Sequence, residues 1–364
     1  MRAFDLIFRC ILLILSLQLS GCSAPEADDL WQDYQQRLVR LAGDGTPTAA
    51  ESRTDRPRWP APRQTFRPVP EWRTDLLGWL DLIDCDLSRL VAERNSGLGR
   101  VQHPSLRLAY EIEFVTQARR CLATLAADDD MRPWLNDAAS GKQAALPALL
   151  WNATLASPEW RDAQAPQPVP ADLPLPLDGA ALANLINDWS TQLWAVQNGK
   201  LPATDQLEAQ LQALTANRPG LLTDALRIGT DALHESTSVL LQVDTQWLCP
   251  KGRASTRARY FHNVFSNIYG ARIHPWLSAV WRESRPVATA LTGLRDVLAE
   301  DPDARAVAAW IDQWLQLREN FRRALDGHVL AWQTLLGDCS LMPGQAPLTS
   351  TGTDAVGAAN DDAP

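Results

Sequence analysis

Two stretches concentrate the side chains from which a site can be built. The first is ERNSGLGRVQHPSLRLAYEIEF, residues 93–114. Arg94 and Arg100 flank a glycine-containing turn, Asn95 lies between them, and Tyr110 and Glu111 follow. Two guanidiniums can hold an anion, or they can pair with Glu111 and Glu113; charge-assisted bonds serve either purpose. Arg94, Asn95, Arg100, Tyr110 and Glu111 therefore read as a small recognition pocket at a hairpin tip, or as a turn held by buried arginine–carboxylate pairs. Asn95 and Gly97 both suit the left-handed backbone that ends a helix. The second stretch is CPKGRASTRARYFHNVFSNIYGARIHPW, residues 249–276. Lys251, Arg253, Arg257, Arg259 and Arg272 occur there with no acid before Glu283, and Tyr260, Phe261, Phe265, Tyr269 and Trp276 interleave with them. Such a face suits lipid head groups, saccharide phosphates or a glycan. Alternatively its aromatics are core and its arginines, Arg257 and Arg259 among them, pair with acids elsewhere.

Motifs for catalysis are not matched. His234-Glu235 lacks the second histidine of a zinc-protease helix. His262 and His274 lie twelve positions apart across an expected bend and make a poor metal pair. There is no Gly-x-Ser-x-Gly elbow and no Gly-Lys-Ser/Thr phosphate loop, and Gly97-x-Gly99 follows no strand pattern. Glu111 and Glu113 are two positions apart, so on a helix they diverge rather than form an acid/base pair. No metal or cofactor is expected.

The elements that must position these residues are helices. Leu76, Ile83, Leu87, Leu90 and Val91 form one stripe at the 3.6-residue period, and Leu108, Ile112, Val115, Leu122 and Leu125 another. Leu182, Leu185, Trp189, Leu193 and Val196 make a third. Pro219 opens a long helix carrying Leu222, Ile228, Ala232 and Val239. Phe261, Val264, Phe265, Ile268 and Trp276 share a stripe that Pro275 is expected to bend. Asp301-Pro302-Asp303 reads as a cap before a helix running from Val307 towards Leu336. Strand-like alternation is nearly absent. The expectation is an all-α fold: an irregular multi-helix bundle of about eight to ten helices, some long, with a disordered acidic C-terminal tail at 341–364. The helical domain spans 71–340, with a possible subdomain boundary in the proline-rich connector at 165–178. Residues 43–70, proline-rich and basic, either tether the body, with a reach of roughly 80 Å if fully extended, or lie on it through Trp59 and Phe66.

Of the 364 residues, 15 are tryptophan. Exposed, they would suit sugars or a membrane interface; most stand at core spacing, as Trp310 and Trp314 do, and are expected inside. The net charge of −9 argues against nucleic acid as a general partner.

The N-terminus carries a leader: Arg2 and Arg9, an apolar run from Leu6 to Leu19 too short to span a bilayer comfortably, then Leu19-Ser20-Gly21-Cys22. That order resembles the lipobox of bacterial lipoproteins. It implies cleavage after residue 21 and acylation of Cys22, leaving 22–70 as a lipidated start with a short helix and linker. Several acyl chains anchor stably where one does not. Ser23 rather than aspartate after the cysteine points to the outer membrane, with the body facing an oxidising periplasm. There Cys85, Cys121, Cys249 and Cys339 can pair in three ways, or stay as buried thiols. Cys85 and Cys121 fall at nearly mirrored positions about the 96–103 turn, which selects Cys85–Cys121 and hence Cys249–Cys339.

The block Arg94 to Arg100, Ser105, the Tyr110-Glu111 pair and the RYFHNVFSNIY segment resemble a family of uncharacterised proteobacterial lipoproteins known only as a domain of unknown function. The resemblance implies a lipidated envelope protein and supplies no activity. The reading that emerges is a non-catalytic binding or accessory protein. Its expected partners are the membrane, through the anchor, and an envelope protein or anionic glycan or lipid. An envelope hydrolase using Glu111 or Glu113, and a small-ligand-binding module, are the alternatives. The sequence leaves the oligomeric state open.

Overall fold

The structure is a computed structural model that describes residues 25–43, 53–72, 87–97 and 102–343. Cys22, Cys85, Arg100 and residues 344–364 lie outside the described residues. The chain is all-α. Among the described residues the only extended pairing is an isolated antiparallel bridge between Glu26 and Pro170. In order the helices are α1 (Ala27–Ala42), α2 (Pro62–Thr65), α3 (Leu87–Asn95), α4 (Pro104–Thr124), α5 (Met131–Ala153), α6 (Pro158–Ala163), α7 (Gly179–Gln197), α8 (Leu207–Asn217), α9 (Pro219–Leu241), α10 (Thr245–Leu248), α11 (Thr256–Val264), α12 (His274–Val297) and α13 (Arg305–Asp338).

Helix starts follow the local chemistry. Pro219 sits in the first turn of α9, where its missing N–H is no loss. Asp301 Oδ1 accepts from the Asp303 backbone N–H at 3.0 Å and starts the 3₁₀ turn that leads into α13. Asp178 caps α7 by accepting from the backbone N–H groups of Ala180 and Ala181. Gly179, the next residue, lets α7 approach α12 closely: a Cβ there would fall 2.0 Å from the carbonyl oxygen of Glu283. Any side chain at that position would force the two helices apart.

The main core is built from α5, α7, α9, α12 and α13, with α1 and the segment around Val169 packed on it. Trp151, Trp160, Trp189, Trp276, Trp314 and Trp332 are fully buried, as their helical spacing predicts. Trp72, Trp194 and Trp247 are exposed. A smaller cluster under the α4–α5 hairpin joins Leu87, Leu90, Phe114, Ala118, Cys121, Leu135 and Ala138. Cys249 and Cys339 are bonded, with Cα atoms 5.2 Å apart, as the sequence reading anticipated. Cys121 is also disulfide-bonded.

The residues from 53 to 70 lie along the body. Arg56 forms a largely buried ion pair with Asp224 at 2.7 Å, and Arg67 another with Asp301 at 2.6 Å. Asn152 clamps the Arg67 backbone from both its amide nitrogen and its amide oxygen. Trp59 packs edge to face against Trp160 and Trp310. Of the two aromatics expected to hold this segment, Trp59 does so and Phe66 stays exposed.

Ahead of Pro275 the backbone between α11 and α12 widens into a nine-residue π-helix, Phe265–Ile273, which ends with the His274 N–H bonded to the Tyr269 carbonyl. A proline lacks the N–H that an α-helical turn requires. The wider winding ends two residues before Pro275, which then occupies the first turn of α12, where no donor is needed. The π turn delivers Tyr269 into the core beside α1 and α13. There Tyr34 Oη meets His328 Nε2 at 2.8 Å and accepts from Trp332 Nε1 at 2.8 Å, while Thr237 Oγ1 contacts His328 Nδ1 at 2.9 Å. Burial holds the imidazole neutral, lowering the pKa of His328 to about 3.

Candidate functional site

The hairpin-tip residues are partly brought together. α3 stops at Asn95, as expected, but neither Asn95 nor Gly97 adopts a positive φ. The Ser96 backbone N–H instead bonds the carbonyls of Ala92 and Glu93, and its hydroxyl donates to Glu93 at 2.7 Å. Those bonds satisfy the last turn, so no left-handed residue is required. Asn95 is solvent-exposed. Tyr110 lies on α4 within electrostatic reach of Arg94, Arg107 and Glu111; burial, and then Glu111, raise its pKa well above the usual tyrosine value.

Glu111 is buried, and its partner was not foreseen. Lys142 of α5 donates to Glu111 Oε2 at 2.5 Å, and Arg107 stands 3.8 Å from Oε1. The ammonium also rests over the rings of Phe114 at 4.6 Å and Tyr110 at 5.3 Å. Glu113 is exposed and bonds Gln117 on its own helix. A visible signal did exist for Lys142: it interrupts the apolar stripe of Leu135, Ala138, Ala139, Ala145, Leu146 and Leu149 at core spacing. A lysine there needs a buried acid, and Glu111 is the acid on the facing helix.

A second arrangement also escaped sequence reasoning. His103 contacts Ser105 Oγ through Nδ1 at 2.8 Å, and its Nε2 lies 2.9 Å from Glu159 Oε1. Serine, histidine and carboxylate stand in the order of a hydrolytic triad. Ser105, however, is 3 % exposed and donates its hydroxyl to Glu208. A nucleophile must be reachable and must hand its proton to the base; here the proton goes to a different acid. Ser105, Glu159 and Glu208 stand in the first turns of α4, α6 and α8, where negative charge suits the helix ends. The arrangement fastens three helix starts together.

The basic-aromatic stretch divides by face. Phe261 and Trp276 are buried, as their stripe predicts, and Tyr269 is buried with them. Phe265 is partly buried and stacks on Tyr269 and Trp332. The cations do not fold back on acids. Lys251, Arg253, Arg257, Arg259 and Arg272 form no ion pair among the described residues. The Arg257 guanidinium lies over the Trp247 ring at 4.7 Å and against Gly43 at the end of α1. Trp247 is 55 % exposed and Tyr260 54 %. Trp247 is the residue sequence reading missed: it precedes the basic stretch by two positions, and only the α10 turn, capped by Asp244, places it under Arg257. The result is a run of cations without ion pairs among the described residues, with the Arg257 guanidinium over the exposed Trp247 ring.

An all-helical body whose core is packed around buried tryptophans, closed by a disulfide and carrying Arg257 over an exposed tryptophan, is the class of protein that fold and site define. The chain belongs to DUF3080, a family of proteins of unknown function, which matches residues 31–343. No curated protein and no solved structure matches it. Among the described residues, no helix is long and apolar enough to cross a membrane.

Proposed function

We propose that this protein is a lipid-anchored, non-catalytic envelope protein whose cationic-aromatic face binds an anionic partner, in the first instance a phosphate-bearing glycan. One observation carries the reading: in a chain of net charge −9, Lys251, Arg253, Arg257, Arg259 and Arg272 form no ion pair among the described residues, and Arg257 lies over the exposed Trp247 ring. Structural arginines are normally paired, whereas unpaired ones interleaved with rings suit phosphates and sugar faces. The anchor is Cys22, acylated after removal of residues 1–21, and Ser23 directs the protein to the outer membrane. α1 begins five residues beyond Cys22, so the body stays close to the lipid surface, and confinement there raises its effective concentration for partners in the same shell.

Fractionation of cells carrying three forms of the chain tests this: wild type, Cys22→Ser, and Arg257→Ala/Arg259→Ala. The expected result is loss of Cys22→Ser from membranes. For the double variant we expect membrane recovery to be retained and salt-sensitive binding to purified phosphorylated lipopolysaccharide to fall at least tenfold. Equal binding by the double variant overturns the face; full membrane recovery of Cys22→Ser overturns the anchor.

A further inference from the structure

The start of α1 is tied to the proline-rich connector that precedes α7. The Ala27 N–H donates to the Val169 carbonyl at 2.7 Å and the Ala171 N–H to the Pro25 carbonyl at 2.9 Å, on either side of the Glu26–Pro170 bridge. Trp276, in the first turn of α12, donates its indole N–H to the Pro170 carbonyl at 3.0 Å. Val169, Ala171 and Leu175 are packed in the main core. The connector is therefore fixed to the body and to the N-terminus at once. What it leaves outside is mostly apolar: Leu173 is 45 % exposed, and Pro166, Pro168, Pro174 and Pro176 are exposed with it.

Only Ser23 and Ala24 separate Cys22 from Pro25. Three Cα-to-Cα steps span at most about 11 Å, and the head-group layer on each side of a bilayer is roughly 5–8 Å thick. With acyl chains on Cys22, even a fully extended link carries Pro25 little beyond the head groups, and Pro25 is bonded to Ala171, two residues from Leu173. We propose that the 166–176 connector is the surface on which the body rests against its own membrane, with Leu173 set among the lipids. This inference rests on acylation of Cys22 and adds which side of the body meets the bilayer. Proline suits the place: it has no N–H, so it brings no donor that lipid would leave unmet. Glu26, Asp28, Asp29 and Asp172 are exposed near the contact, so it favours zwitterionic over anionic head groups. Arg257 lies against Gly43, at the far end of α1, and a helix of sixteen residues sets the two ends about 24 Å apart. The lipid contact and the cationic stretch are thus separate surfaces.

The test is photolabelling of the acylated full chain in vesicles of phosphatidylethanolamine and phosphatidylcholine that contain a phospholipid with a photoactivatable acyl chain, followed by mapping of the labelled peptides. Label should fall on residues 166–176 and spare 245–260, at the other end of α1. Leu173→Asp, at an exposed position, should float with the vesicles as wild type does, with connector label reduced about tenfold. Label spread equally over both segments, label confined to 245–260, or connector label unchanged in Leu173→Asp overturns the proposal. A chain that floats with its connector unlabelled overturns this proposal alone. A chain that carries no acyl group and does not float overturns the anchor, and this contact with it.

Discussion

Two of the places where the fold buries polar groups treat them in opposite ways. In the main core Tyr34, His328, Thr237 and Trp332 form a neutral network. Under the α4–α5 hairpin, Glu111 and Lys142 form a charged pair. A neutral network costs little provided every member finds a partner. A buried ion pair costs desolvation on both sides, repaid only by close geometry and extra bonds. Here the repayment comes from Arg107 and from the rings of Phe114 and Tyr110 around the ammonium. The Tyr34 network thus excludes charge, and the smaller cluster tolerates it because its helices bring cation and anion into direct contact.

The sharpest way to break this contrast is to halve the pair. Lys142→Met should cost about 3–5 kcal/mol in denaturant unfolding, because it strands a buried carboxylate. Glu111→Leu added to it should recover most of that loss. A single-variant cost below the double-variant cost would show that the pair is not desolvated. The neutral network should yield less: His328→Phe should cost about 1–3 kcal/mol, since Tyr34 and Thr237 lose a partner but no charge is exposed. The two are also distinguished by pH. The unfolded His328 side chain protonates near its ordinary 6.5, whereas the folded one resists until about 3. Stability from this residue is complete above 6.5 and is lost as pH falls towards 3, with a slope of at most about 1.4 kcal/mol per pH unit. Unfolding curves across that window should flatten in His328→Gln, and an unchanged slope would mean that other groups set the acid limit.

The sequence was legible where a pattern has one physical cause. Period 3.6 gave the helices, Asp301 and Pro219 their starts, and the residues of the 249–276 segment their inward and outward faces. It was less legible where two remote residues share a cost. Lys142 could be seen to break a stripe, but which acid answers it depends on the register of α4 against α5. Trp247 under Arg257 depends on a single four-residue turn. The π segment was hidden because Pro275 announces a lost hydrogen bond and not how the backbone compensates: bending and rewinding both satisfy the same missing donor. Arg218, left-handed with φ 41° between α8 and α9, carries no sequence signal for that conformation at all.

The Tyr34 hydroxyl joins the first described helix to the last, across 294 and 298 residues of chain. A pull on the chain ahead of Ala27 is therefore not met by a loose strand. It is met first by the Glu26–Pro170 bridge and then by α1, whose contacts pass the load to α9 and α13 at once, so whatever holds this molecule by its leading end holds the main core with it.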